Sequence, residues 1–232
     1  MSSNPSILQN LPDIITAIGG LGTAAFGLVD STKPFWGGVN RVGFNRIKSA
    51  VRALTPGASS AGLTQAKIVA TLKANWYNGK DLASQKAIAK SLIKQNLNTG
   101  NSDDLAKATG VNSVVLKAVA GKVASGKALE QDETDVYSRL DFILTALLDE
   151  VYQDSDQAYT NWTRIWAAFF AVVLAFVGGW VLKNVALADY WNTDDMWIAL
   201  VAGLLATPLA PIAKDLSSAL ATAVNTMQAI KK

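Results

Sequence analysis

The feature that most constrains this fold is a pair of long stretches without a charged side chain. They are residues 165–182 and 196–213, both in the C-terminal third of the chain. As a helix, 165–182 would rise about 27 Å, close to the roughly 30 Å hydrocarbon core of a bilayer. Little else in the sequence could cover a helix that is apolar on every side. The sequence therefore predicts two adjacent transmembrane helices.

The ends of these stretches carry residues that anchor helices at a membrane interface. Aromatic rings and lysines settle where lipid headgroups meet the hydrocarbon. The expected membrane-interface residues are Trp162, Trp166, Trp180, Lys183 and Trp197.

The second stretch contains two prolines near its far end, Pro208 and Pro211. Proline removes a backbone donor and bends or breaks a helix, so we expect a kink there. Residues 212–230 then repeat apolar side chains at spacings of three or four, which predicts an amphipathic helix on the membrane surface. One slightly bent helix that projects out of the bilayer explains the pattern equally well.

A third apolar segment, 14–29, lies near the N-terminus and is rich in glycine. Small residues at four-residue spacing let helices approach closely in lipid. We expect a third span or an oligomer-packing helix, with a re-entrant, interfacial or protein-buried segment as the alternative. The expected helix-packing residues are Gly19, Gly20, Gly22 and Ala24.

Charge divides the region between these segments into two blocks. Residues 31–127 carry 15 basic and 3 acidic side chains, whereas 128–160 carry one basic and nine acidic. Such a division indicates two surfaces with different neighbours. In 31–56, aromatic and basic residues interleave, which is typical of a membrane interface. A linker is expected after Pro56.

Periodicity predicts four short helices in the basic block and one long helix after it. The short ones are expected at 63–76, 82–97, from 102 to a stop at Gly110, and 112–125. Because neither proline nor glycine interrupts 127–177, one helix is expected to run from 132 to 182. Its acidic half has an apolar stripe that needs a partner. Opposite charge favours the basic helices over another subunit.

The predicted fold is an all-α membrane protein with two to three transmembrane helices, a helical cytoplasmic domain and a C-terminal amphipathic helix. The predicted regions are a glycine-rich membrane segment with a basic aromatic interface (1–56), a cytoplasmic helical domain with an acidic stalk helix (57–160), and two transmembrane helices with the amphipathic helix (161–232). Basic residues near the spans put the middle domain and the C-terminus in the cytoplasm. The result is a multi-pass protein of the cell membrane.

The chain contains neither histidine nor cysteine, so zinc, haem and iron–sulfur centres lose their usual ligands and triad hydrolysis loses its base. We expect no catalytic residue, cofactor or metal site, and no enzymatic activity. The favoured function is an anchor or scaffold that attaches a larger cytoplasmic assembly to the membrane. The expected partners are the lipid bilayer and a protein, or a second copy, bound through 63–160; neither nucleic acid nor a small-molecule substrate is expected.

The alternative function is a homo-oligomeric pore or channel built from the glycine-rich and proline-kinked helices. The lack of ionisable side chains inside the predicted spans counts against an ion path, although hydrophobic gates exist.

Overall fold

The computed structural model describes residues 7–56 and 63–230, with the side chains of 13–35, 37–56, 63–212 and 215. This part of the chain is helical and contains no β-strand, which confirms the all-α prediction. The linker expected after Pro56 falls on residues 57–62, outside the described residues. In chain order the helices are α1 Ile7–Trp36, α2 Asn40–Leu54, α3 Gln65–Tyr77, α4 Leu82–Asn96, α5 Ser102–Thr109, α6 Ser113–Ala124, α7 Gln131–Lys183, α8 Leu187–Tyr190 and α9 Asp194–Ile230.

The chain forms two separately packed units. The helical unit is Val39–Tyr159, and the apolar unit combines Met1–Gly38 with Thr160–Lys232. Helix α7 contributes its acidic half to the helical unit and its second half, which is uncharged from 165 to 182, to the apolar unit.

Helix α2 belongs to the helical unit, although the sequence grouped it with the N-terminal membrane segment. The reason is its buried apolar face, since Phe44, Ile47 and Val51 enter the core of that unit. Gly43 permits the closest approach: a Cβ there would lie 2.5 Å from Cζ2 of Trp76 and 2.8 Å from the Ser155 carbonyl oxygen. The position of α2 in the helical unit therefore depends on its close fit against Trp76 and α7 as well as on its apolar side chains.

The apolar stripe of the acidic half of α7 is buried against the other helices of the helical unit. Leu140, Leu144, Leu148 and Tyr152, four residues apart, are at most 1% exposed. Spacing of four keeps them on one face of a helix. The favoured interpretation of the stripe, a partner within the same chain, is confirmed.

Ion pairs join the basic helices to α7 around this core. The Asp141 carboxylate accepts hydrogen bonds from Nζ of Lys90 at 2.9 Å and of Lys94 at 2.8 Å. Arg46 on α2 pairs with Asp154 at 2.5 Å. The two charge blocks of the sequence thus meet within one unit.

The short helices begin and end within two residues of the predicted bounds, and capping groups are present at their ends. The Thr64 side chain accepts from the Lys67 N–H at 3.2 Å, and Asp81 accepts from the Ser84 N–H at 2.8 Å. Asn112 does the same for the first turn of α6. Gly110, with φ of +68°, ends α5 in a left-handed conformation. These groups satisfy backbone donors and acceptors that helix ends leave unpaired.

Three helices of the apolar unit are long and apolar enough to cross a membrane. The candidate segments are Asp13–Phe35 in α1, the uncharged part of α7, and Asp194–Ile212 in α9. Helix α1 continues beyond the predicted 14–29 to Trp36, and its polar last turns are satisfied locally. The hydroxyls of Ser31 and Thr32 donate to carbonyls one turn earlier, each at 2.7 Å.

Helix α9 continues through both Pro208 and Pro211 to Ile230. This continuity agrees with the single-helix alternative; a bend at the prolines stays a prediction. Apart from Asp215, the side chains beyond residue 212 lie outside the described residues, and so does the predicted amphipathic pattern of 212–230.

The shared carboxylate of Asp141 predicts an acid-sensitive contribution to stability. Hydrogen bonds from Lys94 and Lys90 hold the pKa of Asp141 below its usual value. The contribution is therefore present above the unfolded-state pKa, about 3.9, and is lost as the pH falls through the lower folded-state value. Asp141→Asn should cost up to about 1 kcal/mol near neutral pH, with the difference from wild type shrinking below about pH 4.

Thermal unfolding followed by circular dichroism across this pH range measures the effect. Asp135→Asn is the control, since Asp135 lies on the same helix and its side chain accepts from Gln131. Identical pH profiles for the two variants would contradict the assignment.

Candidate functional site

The three candidate spans pack together with a defined direction. Ala25 of α1, Ala171 of α7 and Ala206 of α9 are fully buried in one cluster. Ala17, which lies earlier in α1, lines a groove between the helices together with Leu182 of α7 and Ile198 of α9. Helices α1 and α9 therefore run parallel, and α7 runs antiparallel to both. It follows that the chain leaves the apolar unit after α1 and re-enters it in α7 at the same end of the bundle.

Helix α1 meets α9 at Gly22. A Cβ on Gly22 would collide with the Ala206 carbonyl oxygen and would lie 3.0 Å from the Cβ of Ala210. Because the obstacle is backbone, only a shift of a whole helix would make room. Gly22 therefore sets the distance between α1 and α9.

Two further glycines lie at close contacts of α7. A Cβ on Gly203 of α9 would lie 2.6 Å from the Cα of Val172. A Cβ on Gly179 of α7 would collide with the hydroxyl oxygen of the buried Tyr190 and lie 3.5 Å from the Cβ of Ala199. Each of the three spans thus contributes one glycine at a close contact, as small-residue packing in lipid requires.

Sequence reasoning missed Gly179 and Gly203, although a signal for both is present. On α7 small residues recur every fourth position, and on α9 they recur at spacings of four, three and four. Such spacing keeps them on one helix face. The two rows are Ala167, Ala171, Ala175 and Gly179 on α7, and Ala199, Gly203, Ala206 and Ala210 on α9.

The predicted packing residues of α1 fall on two different faces. Gly19 and Gly22 are buried, whereas Gly20 and Ala24 are exposed. Nothing lies within 4 Å of a Cβ built on Gly20. The structure thus brings Gly22 into the contact with α9 and leaves Gly20 and Ala24 on the outer surface of the apolar unit.

The predicted interface residues lie towards the two ends of the apolar half of α7 and at the start of α9. Trp162, Trp166 and Trp197 are 43%, 44% and 64% exposed. The indole N–H of Trp180 donates to the Val185 carbonyl at 2.9 Å. From Trp162 to Lys183 the helix rises about 32 Å, which matches the thickness of a hydrocarbon core.

The segment between α7 and α9 folds back onto the helices through polar and aromatic contacts. Lys183, the last residue of α7, forms an ion pair with Asp195 in the first turn of α9. The Tyr190 hydroxyl donates to the Asp195 carbonyl oxygen at 3.4 Å, and its ring packs edge-on against Phe176. Asn184, with φ of 52°, ends α7. These contacts hold together the end of the bundle where α7 ends and α9 begins. The chain connections to the helical unit leave from the other end.

A groove of about 570 Å³ runs between the three spans beside this end. Its lining is mostly small and apolar, with Ile18 and Leu21 from α1 and Gly178 from α7. Its charged lining residues, Lys183 and Asp195, are paired with each other. Within the described residues, no group of three or more Asp or Glu side chains is placed to hold a metal ion.

Comparison of the chain with protein-family models, curated proteins and solved structures finds no match. The interpretation of this site therefore depends on its own geometry.

The glycine contacts predict a sharp difference between neighbouring positions of α1. Gly22→Ala should destabilise the apolar unit by about 1–3 kcal/mol, because the added methyl group meets backbone and forces α1 away from α9. Gly20→Ala, the matched control, should be neutral or slightly stabilising, since alanine favours a helix over glycine by about 1 kcal/mol.

Both variants are measured by denaturant unfolding in a mild detergent. Equal losses of stability would show that glycine content, and not the contact with Ala206, is what matters.

Proposed function

We propose that this protein is a non-enzymatic integral membrane protein that anchors or scaffolds a larger cytoplasmic assembly. The observation that carries the proposal is the insertion of a separately packed helical unit, Val39–Tyr159, between the candidate spans. Both of its chain connections leave the apolar unit at the same end of the bundle. A unit tethered twice at one face of a membrane is well suited to hold a partner at that face.

The proposed topology has α1, the uncharged half of α7 and the first part of α9 crossing the cell membrane. Basic residues cluster after α1, with Lys33, Arg41 and Arg46 close to its end. The segment at the opposite end of the bundle has Asp189 and Asp194. Cytoplasmic loops carry the excess of basic residues. The helical unit and the C-terminus are therefore proposed to be cytoplasmic.

A partner of the helical unit would bind surfaces other than the apolar stripe of α7, because that stripe is buried in the core of the unit. Three large apolar side chains of the helical unit are exposed: Phe142 on α7 at 75%, and Val114 and Val123 on α6 at 77% and 47%. Exposed aromatic side chains are enriched where proteins bind one another. These positions are the proposed points of attachment, either for another protein or for a second copy.

The non-enzymatic part of the proposal is supported by the residue types in the chain. Without histidine or cysteine, acid–base and nucleophilic catalysis would depend on carboxylates, lysines or hydroxyls. The charged residues in the groove between the spans are Lys183 and Asp195, and the two form an ion pair with each other.

Site-specific photocrosslinking in native membranes tests the anchor. A photoreactive residue at Phe142 should give one discrete crosslink to a polypeptide of the assembly, and that polypeptide should leave the membrane fraction when this chain is deleted. Phe142→Asp should weaken the association, because a buried carboxylate at the contact is costly. The control position is Phe169, which is 54% exposed on the uncharged half of α7.

Crosslinks at Phe142 to lipid alone, or a crosslinked polypeptide whose membrane fraction does not change on deletion, would refute the anchor.

One observation favours the alternative, a homo-oligomeric pore. The outer face of α1 presents a row of exposed small residues, Gly20, Ala24 and Gly27. Small residues on a transmembrane face permit close packing with another helix in lipid. The row is distinct from the Gly22 face that packs on α9.

If the protein forms a pore, the double variant Gly20→Leu and Ala24→Leu should abolish both oligomerisation and dye release from reconstituted vesicles. The single chain should keep its fold, because Gly20 has open space around it. Molecular mass in detergent and vesicle flux are the two measurements. A monomeric wild type that releases no dye would exclude the pore and leave the anchor standing.

A further inference from the structure

The outer flank of α2 carries a row of basic side chains. Arg41, Lys48 and Arg52 follow one another at spacings of seven and four, with Asn45 between the first two. At 100° per residue these four positions fall within one narrow strip of the helix, beside the buried face. The row from Arg41 to Arg52 extends about 16 Å along the helix axis.

The charges of this row are not used inside the helical unit. Across the described residues, the ion pairs within the helical unit involve other cations, such as Arg46 with Asp154 and Lys90 with Asp141. Helix α2 itself has no acidic residue. Arg41 and Arg52 are thus exposed and Lys48 is half-buried, on a helix whose adjacent face is fixed in the core.

Chain connectivity keeps the start of this row close to the proposed membrane. The candidate span of α1 ends at Phe35, and α2 begins at Asn40. Five residues reach at most about 18 Å even when fully extended. Phe35 itself is 74% exposed, which suits an aromatic side chain at the headgroup level.

We propose that Arg41, Lys48 and Arg52 of α2 bind the anionic phospholipid headgroups of the membrane that α1 crosses. The inference rests on the proposed membrane location of the apolar unit. Basic residues this close to a bilayer are attracted by the negative potential of anionic lipids, and arginine pairs with phosphate in a bidentate manner. The row then holds the helical unit against the lipid surface and makes its position depend on lipid composition.

The test uses the full chain in lipid nanodiscs with one spin label at Asn45→Cys. Because the chain has no natural cysteine, the label occupies a unique site in the middle of the row. Its collision rate with a water-soluble paramagnetic reagent is compared in discs of phosphatidylcholine alone and of phosphatidylcholine mixed with phosphatidylglycerol. We expect a lower collision rate in the anionic discs, and recovery in molar salt, where the screening length falls to about 3 Å.

The decisive variant combines Arg41→Gln, Lys48→Gln and Arg52→Gln. Each charge removed should weaken the response to phosphatidylglycerol about fivefold, so the triple variant should show none. A charge-matched control combines Lys80→Gln, Lys107→Gln and Lys127→Gln, which are exposed residues far from the spans in sequence. The control should respond like wild type, and Arg41→Lys with Arg52→Lys should retain most of the response.

Several outcomes would overturn the inference. They are equal collision rates in both kinds of disc, an equal loss of response in the control, and a larger response to an acidic peptide or oligonucleotide in uncharged discs. A chain that enters the discs but shows no lipid response fails this inference alone. A chain that alkaline carbonate extracts from cell membranes fails the proposed function instead.

Discussion

Helices surrounded by lipid gain little from hiding apolar side chains from one another, so close contact of their surfaces must supply the attraction. In the apolar unit that contact depends on the absence of three side chains, at Gly22, Gly179 and Gly203. The interior around these glycines is filled by alanines such as Ala171 and Ala206. These contacts bring the three helices together around the groove between them.

Helix α7 shows how one continuous helix serves two packing problems. In its acidic half, large side chains such as Leu144 and Tyr152 recur every fourth position and exclude water. In its uncharged half, the small residues Ala171 and Gly179 keep the same spacing. Their small size lets neighbouring helices approach α7 closely. Water drives burial in the first case, whereas in lipid the gain comes from contact. The same spacing therefore stabilises the two halves of α7 by two different effects, burial from water and close contact in lipid.

The sequence predicted what local rules determine, namely helix type, capped boundaries and the uncharged spans. It could not determine what depends on a partner helix. Gly20 and Gly22 are equivalent in composition, yet only Gly22 faces Ala206, and periodicity within α1 does not reveal which face α9 will take. Helix α2 was missed as a core element because its interleaved basic residues resemble an interface, while Gly43 fits against Trp76 only in three dimensions.

The pairing of α1 with α9 joins segments from opposite ends of the chain, and this has a consequence for biosynthesis. Gly22 emerges from the ribosome early, whereas its partner Ala206 follows 184 residues later. At roughly 5–20 residues per second, α1 waits about 10–40 s before its neighbour exists. During that delay the glycine face of α1 has no intended partner. Maturation of the protein is therefore exposed to mispairing with other nascent helices, and chaperoning at the membrane would matter most in that interval.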